Sequence, residues 1–541
     1  MTERNLFIAD CTLPLGDPEV QRWDVSVTDG LVSSVEPHDP ARRASGAEHI
    51  AADGRSLLPG FIDSHVHIPE SGVEMLRCDM SACATRQAVL DTVQSYAANN
   101  PDEEWIVGRG WDGALFLREP ATLAEIDRIT GTRPAYLNNR DGHSVWVNSE
   151  ALRRAGITRT TPDPIGGVIE RDPHGELTGV LYESAMQLVS DLVPAVDRTA
   201  LRAGLVAAQD YLLSLGVTGW QDAIVGDFVP TTDVYDLYRD TAADGTLLGR
   251  VTGSLWWPRD YDENSLAALV AQRDAIEPGS RFRCTSVKVM YDGWFSTHSA
   301  ALSTPYVLGR ADNVGVSFFD TPDMPERIRQ IDAAGFDLHF HVVGDRAVTE
   351  CVDMLEAAIT ANGARDRRHQ LAHVWLLDDA TIDRMARLGL IANLQAFWAR
   401  HNSEMTDIIE PALPDGLRGL QLRFESLRRA GVPLAMGSDW PVSSANPMDA
   451  IHVAVNRHHP ADSVGDGFLL DEALPLRSAL RAATTGSARA IRRDDEVGSV
   501  EVGKVADLVL LDRDVVQADP AELHTVRVDH TVIDGGVVFS R

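Results

Sequence analysis

Two kinds of apolar pattern share this chain. Near both ends, short runs alternate between apolar and polar residues and are separated by turn residues, the signature of strands with one solvated face. Asn5 to Ala9, Trp23 to Val27 and Leu31 to Val35 are such runs, with Asp29-Gly30 as a turn between the last two. At the other end Ala506 to Leu511 reads as a strand, and Val526 to Ile533, Gly535-Gly536 and Val537 to Phe539 as a hairpin. The expectation is a small sheet domain assembled from both termini, residues 1–58 plus 495–541.

Between these ends, apolar strands alternate with helical periods at short spacing. Phe282 to Met290, Phe336 to His341, His369 to His373, Leu390 to Leu394 and Val432 to Gly437 read as strands. The segments Pro325 to Ala333, Arg346 to Thr360, Asp378 to Leu388 and Phe424 to Ala430 read as helices. Such βα alternation implies a parallel sheet with helical crossovers, which a closed barrel or an open doubly wound sheet would satisfy. No G-x-G-x-x-G follows a first strand, and polar residues recur at strand ends. Both facts favour an α/β chain with a (β/α)8 TIM-like barrel over residues 59–494. The stretch from about 71 to 208 exceeds a normal crossover and predicts an inserted subdomain covering the barrel mouth. Within it, Cys78 to Cys83 reads as helical.

Candidate chemistry gathers at the strand ends. His65 and His67 flank Val66, a spacing that turns both imidazoles to one side of a strand. His341, His373 and Asp439 each stop an apolar run with a ligand-type side chain, and successive βα units would carry all of them to one rim. Imidazole and carboxylate donors suit Zn2+, and with less preference Mn2+, Fe2+ or Co2+. His339 and His369 lie one pleat deeper and read as hydrogen-bonded core histidines. Lys288, alone in an apolar strand, reads as a snorkelling or salt-bridged lysine.

Composition narrows the function classes. With 80 acidic and 49 basic residues the formal charge is -31, a field that repels phosphate backbones and anionic membranes. Five cysteines form neither a disulfide framework nor a zinc ribbon and read as buried thiols. Neither a signal peptide nor an 18-residue apolar run is legible, so a cytoplasmic enzyme is the expectation.

Phe61 to His67 (FIDSHVH) and Gly498 to Asp512 (GSVEVGKVADLVLLD) resemble the amidohydrolase superfamily. Trp111-Asp112, Asp141 to Ser144, Asn148, Pro164 to Gly167, Leu177 to Gly179, Val343 to Val348 and Gly437 to Pro441 look like its amidohydrolase-3, or YtcJ-like, group, which includes N-substituted formamide deformylases. The resemblance implies a metal-dependent hydrolase of one or two divalent ions, with a barrel and a β-sandwich built from both ends. It also implies ligands at His65, His67, His341, His373 and Asp439, and a carbon dioxide-derived carbamate on Lys288 bridging two metals. Asp439 would move the proton, and His143 would recognise the carbonyl. Trp111, Trp146, Trp294, Trp375, Phe397, Trp398 and Trp440 recur near strand ends or covering loops. Trp111, Phe397, Trp398 and Trp440 are the candidate substrate contacts, for an N-acyl or N-formyl amine with an apolar group. Gln395 to Trp398, after the seventh strand, is the expected substrate-facing segment. A lactone, ester or cyclic deaminase substrate fits the same metal chemistry, and a catalytically silent binding protein is the reading from another class. A small molecule is the expected partner, without nucleic acid or membrane, and a homodimer is left open.

Overall fold

A computed structural model describes residues 5–42, 46–116, 120–140, 142, 144–164, 167–226, 233–461 and 467–541. They fall into two compact units, one from the chain up to His67 and from Gln209 onward, the other from Ile68–Ala208.

In the first unit, eight strands form one parallel sheet: β1 (Phe61–Val66), β2 (Val217–Val225), β3 (Arg250–Trp256), β4 (Phe282–Met290), β5 (Asp337–Val342), β6 (Gln370–His373), β7 (Ile391–Leu394) and β8 (Leu434–Met436). Each pairs in parallel with the next. Strands enclosed on both faces should lack polar-apolar alternation, and β1 and β2 are buried at every position. Local signals set the helices between them. Asp378 caps Asp379–Leu388 by accepting from the Thr381 N–H at 2.7 Å, and Gly389 ends it in the left-handed region.

The remaining gap, from β8 to β1, is bridged just past the strand ends. Asp439 N–H donates to the His65 carbonyl at 2.7 Å, and His67 N–H to the Trp440 carbonyl at 3.0 Å. The Asp63 carboxylate accepts from the Ser438 N–H at 2.9 Å and its hydroxyl at 2.5 Å. Burial lifts the Asp63 carboxyl to about 6, against the pull of these donors. The seam leaves no room at Gly437, where an added Cβ would sit 2.5 Å from His65 Cβ and 2.7 Å from His65 N.

Both chain ends contribute sheets to this unit. One has four strands: Leu31–Pro37, Trp23–Thr28, Leu6–Cys11 and Glu48–Ala51 in spatial order. The other runs Gly536–Ser540, Val528–Ile533, Leu508–Leu511 and Leu57–Pro59. Ile8, Val25 and Val27 from one, and Leu57, Leu508 and Val532 from the other, share a single apolar cluster. Arg250, at the start of β3, ties the barrel to these ends by donating to the buried Asp507 at 2.7 Å.

The second unit holds a mixed six-stranded sheet of Gly167–Arg171, Leu177–Glu183, Ser144–Val147, Ala135–Asn139, Ile106–Trp111 and Cys78–Asp79. The helical expectation for Cys78 to Cys83 is corrected here. Cys78 and Asp79 pair in parallel with Gly108 and Arg109, and only glycine at 108 admits that approach, since a Cβ would meet the Cys78 carbonyl at 2.5 Å. All five cysteines are free thiols, four of them buried. Among the described residues no helix is long and apolar enough to cross a membrane.

Gly437→Ala should therefore wedge the seam and cost about 1–3 kcal/mol, the usual penalty of overpacking. Gly416→Ala, whose methyl would meet nothing within 4 Å, is the control. Thermal melts should show the first variant unfolding earlier and the second unchanged; equal melts would remove the seam's steric constraint.

Candidate metal centre

The seam brings three donors together. One ligand atom each from His65, His373 and Asp439 lies within 4.8 Å of the other two, and all three residues are buried. Among the described residues they are the one such group of His, Cys, Asp or Glu. His65 is carried by β1 and His373 ends β6. Asp439 follows β8 in a left-handed backbone conformation (φ 55°), as does His373 (φ 76°). Such φ values are costly for non-glycine residues and persist where surrounding structure enforces them. Asp439 is held by its N–H bond to His65, and His373 by Gln395, whose Oε1 accepts from its N–H at 2.8 Å and from its Nδ1 at 2.9 Å.

The electrostatics fit a cation. Asp439 Oδ1 is buried without a hydrogen bond, yet lies 3.4 Å from His65 Nε2 and 3.2 Å from His67 Nε2. Burial, reinforced by Lys288, His339, His373 and His67, keeps the His65 imidazole well below its ordinary pKa. Burial with His341, Lys288 and His339 does the same for His373, against the Gln395 hydrogen bond. Neutral imidazoles facing an unpartnered carboxylate oxygen are what a divalent ion requires.

The expectation of a carbamate on Lys288 is overturned. The converging donors are His65, His373 and Asp439, and Lys288 meets them as an amine, with Nζ 3.3 Å from His65 Nε2. It is fully buried in β4, which drives its pKa down to about 7 although Asp439 and Asp222 pull it upward. Burial thus favours the neutral amine, which can sit beside the donor set without repelling a metal and does not itself call for a bridging carbamate.

Other predicted residues are distributed around this core. His67 is partly exposed beside Asp439, and His341 packs edge-on against His373 with ring centroids 4.4 Å apart. Trp398 stacks nearly parallel on His373 at 5.3 Å and 16°. Trp294, Trp375 and Trp398 meet pairwise at 5.1–5.7 Å, and Phe295 adjoins them, forming an aromatic wall against a metal donor. Trp440 packs on Tyr211, and Phe397 lies between His459 and the Arg400 guanidinium. Trp111 and Trp146 belong to the core of the second unit, with Trp111 Nε1 donating to the Leu137 carbonyl. His143 lies outside the described residues.

Sequence reasoning missed the supporting cast. Gln395 belonged to the segment expected to face substrate, but its side chain orients His373. His339 was read as a hydrogen-bonded core residue, and its partner is a metal donor: Nε2 lies 2.8 Å from His65 Nδ1. Asp63 gave a weak signal, as a carboxylate in a strand two residues before His65.

Known proteins resemble this chain over most of its length. The amidohydrolase family model matches residues 48–539. YtcJ of Bacillus subtilis is 28% identical over 96% of this chain and 96% of its own length. The N-substituted formamide deformylase of Arthrobacter pascens is 29% identical over 96% of this chain and 95% of its own. An uncharacterized metal-dependent hydrolase from Pyrococcus furiosus shares the fold at a TM-score of 0.71 and 22% identity, covering 96% of this chain and all of that one. The match over most of the chain, together with the buried His65–His373–Asp439 set, makes it a metal-dependent hydrolase of carbon–nitrogen bonds other than peptide bonds, and it belongs to the YtcJ-like branch of the amidohydrolase family.

Proposed function

We propose that this enzyme hydrolyses the amide bond of an N-acyl or N-formyl amine whose nitrogen carries an apolar substituent. The observation that carries the reading is the half-buried Trp398 ring stacked on His373 and backed by the cluster of Trp294, Trp375 and Phe295. Trp398 at that position offers an apolar substituent an aromatic contact within reach of the reacting carbonyl, and the buried rings behind it hold it in place. The similarity to an N-substituted formamide deformylase over nearly the whole chain supports the same substrate class.

His65, His373 and Asp439 would hold a divalent ion, which when bound would supply Lewis acidity for amide hydrolysis. Two imidazoles with a carboxylate suit zinc. Asp439, placed between the strand ends and beside His67, accepts a proton from the attacking water and returns it to the departing nitrogen. The C–O bond forms first, the C–N bond breaks as the nitrogen receives the returned proton, and a carboxylic acid (formic acid for a formyl substrate) and a free amine result. The aromatic wall binds the amine substituent and keeps bulk water from the scissile bond.

Two measurements test this. Asp439→Asn should lower kcat by at least about 100-fold in protein whose metal content is measured and matched to the parent; undiminished turnover would sink the proton-transfer role. Across N-formyl amines of rising apolar bulk, kcat/KM should climb in the parent. In Trp398→Ala it should flatten, with a KM for the bulkiest member raised about 10-fold or more, the worth of one large buried contact. An unchanged series would remove the wall from substrate recognition, and inactivity on every N-acyl and N-formyl amine would refute the substrate class. Stripping metal with a chelator should abolish turnover, and adding Zn2+ should restore it.

A further inference from the structure

Beneath the metal donors, a buried chain of side-chain hydrogen bonds crosses the barrel from His373 to His65. Gln395 Nε2 donates to Asn393 Oδ1 at 3.2 Å, and Asn393 Nδ2 to Gln370 Oε1 at 2.9 Å. Gln370 Nε2 donates to Gln221 Oε1 at 2.9 Å, and Gln221 Nε2 to the hydroxyls of Ser254 (2.8 Å) and Ser286 (3.0 Å). Those hydroxyls are 2.9 Å apart, Ser254 Oγ lies 3.0 Å from His339 Nδ1, and His339 Nε2 lies 2.8 Å from His65 Nδ1. Every member is buried.

The direction of the amide half is fixed by backbone groups, which can act in one sense only. The His373 N–H must donate, so the Gln395 atom it meets at 2.8 Å is oxygen. The carbonyls of Ser64 and Ala490 must accept, so the Asn393 and Gln370 atoms that meet them, at 2.8 and 2.9 Å, are nitrogens. Gln221 then has to present oxygen to Gln370 and nitrogen to the serines. At one end this order makes His373 an Nδ1–H donor to Gln395, leaving Nε2 bare.

At the other end the two hydroxyls decide. If Ser254 donates to Ser286, it accepts from His339 Nδ1–H, and His339 Nε2 accepts from His65 Nδ1–H. His65 Nε2 then carries a lone pair toward Asp439. If Ser254 instead turns its hydrogen to His339, both imidazoles adopt the opposite tautomer, and a proton occupies the ligating nitrogen of His65.

We propose that this buried chain is a tautomer lock for the metal centre, with His339, Ser254 and Ser286 as positioning residues that keep His65 Nε2 open while Gln395 does the same for His373. The inference rests on the metal-dependent reading of the site. Ser286 is its distinguishing member, because it touches neither metal donor and acts by holding the Ser254 hydroxyl away from His339.

Zn2+ affinity, measured by competition with a chromophoric chelator, tests the lock in the whole chain. His339→Gln keeps an acceptor for His65 and a donor for Ser254, and should bind within a few-fold of the parent. His339→Leu fills the same space without an acceptor and should bind about 10–100-fold more weakly, the usual cost of losing a partner behind a metal-ligating histidine. Ser286→Ala should weaken binding several-fold although it lies two bonds further along the chain. Melts of the metal-free proteins separate packing losses from ligand orientation. The lock is overturned if H339Q loses as much affinity as H339L, or if S286A binds as the parent does. S286A and H339Q decide the matter should H339L fail to fold. A parent that binds no Zn2+ refutes the metal reading itself, a result distinct from variants that bind equally well.

Discussion

The closure between the first and last barrel strands is the constraint on which the site depends. His65 comes from β1, His67 follows it directly, and Asp439 comes from the turn after β8, separated from them by more than two-thirds of the chain. They meet because backbone bonds from Asp439 and His67, and the Asp63 clamp on Ser438, join strand ends that no sheet ladder joins. Asp439 thus has two functions at one position. Its backbone seals the barrel, and its carboxylate faces the imidazoles. Both need its left-handed φ, which redirects the chain as β8 ends.

The interior behind this seam is polar where most barrel interiors are aliphatic. Gln221, Gln370, Asn393, Ser254, Ser286 and His339 occupy inward positions that branched apolar side chains usually fill. Burying so many amides and hydroxyls is tolerable only when each finds a partner, because an orphaned group keeps its full desolvation cost. Here the partners form one connected chain anchored on the backbone. It replaces packing energy with orientation, and its two ends are metal donors. Lys288 belongs to the same economy: deep burial disfavours its charged form, and the neutral amine can border the donors without opposing them.

How far the sequence reveals all this depends on the range of the interaction. The strands ending at His341, His373 and Asp439, and the His65-Val66-His67 spacing, were legible because each is a local pattern of an apolar run stopped by a polar residue. The helix from Asp379 was legible for the same reason, with its cap and its terminating glycine adjacent in sequence. The seam was not legible, since Gly437 looks like any glycine until His65 is placed against it. Gln221 and Gln370 carry no local signal either, as a glutamine in a strand declares no partner 149 positions away. Cys78 misled because a two-residue strand is too short for periodicity to register. The aromatic residues show the same limit: Trp398 lies against the metal donors and Trp111 in a separate core, and nothing in their immediate neighbours distinguishes them.

The strand Leu57–Pro59 runs antiparallel to Leu508–Leu510, and only Gly60 separates it from β1. During synthesis, therefore, the histidine-bearing strand meets its ladder partner β2 long before the residues that clamp and support its two ends are made. Its upstream support is made some 450 residues later, and the residues that clamp its far end, Ser438 to Trp440, appear only shortly before. Contacts this distant form slowly, because loop closure must precede any gain from them. A nascent chain thus carries His65 and His67 without Asp439 or the seam, and cannot assemble the three-donor set. The three-donor set is therefore complete only after residue 439 has been made and the closure from β8 to β1 drawn shut.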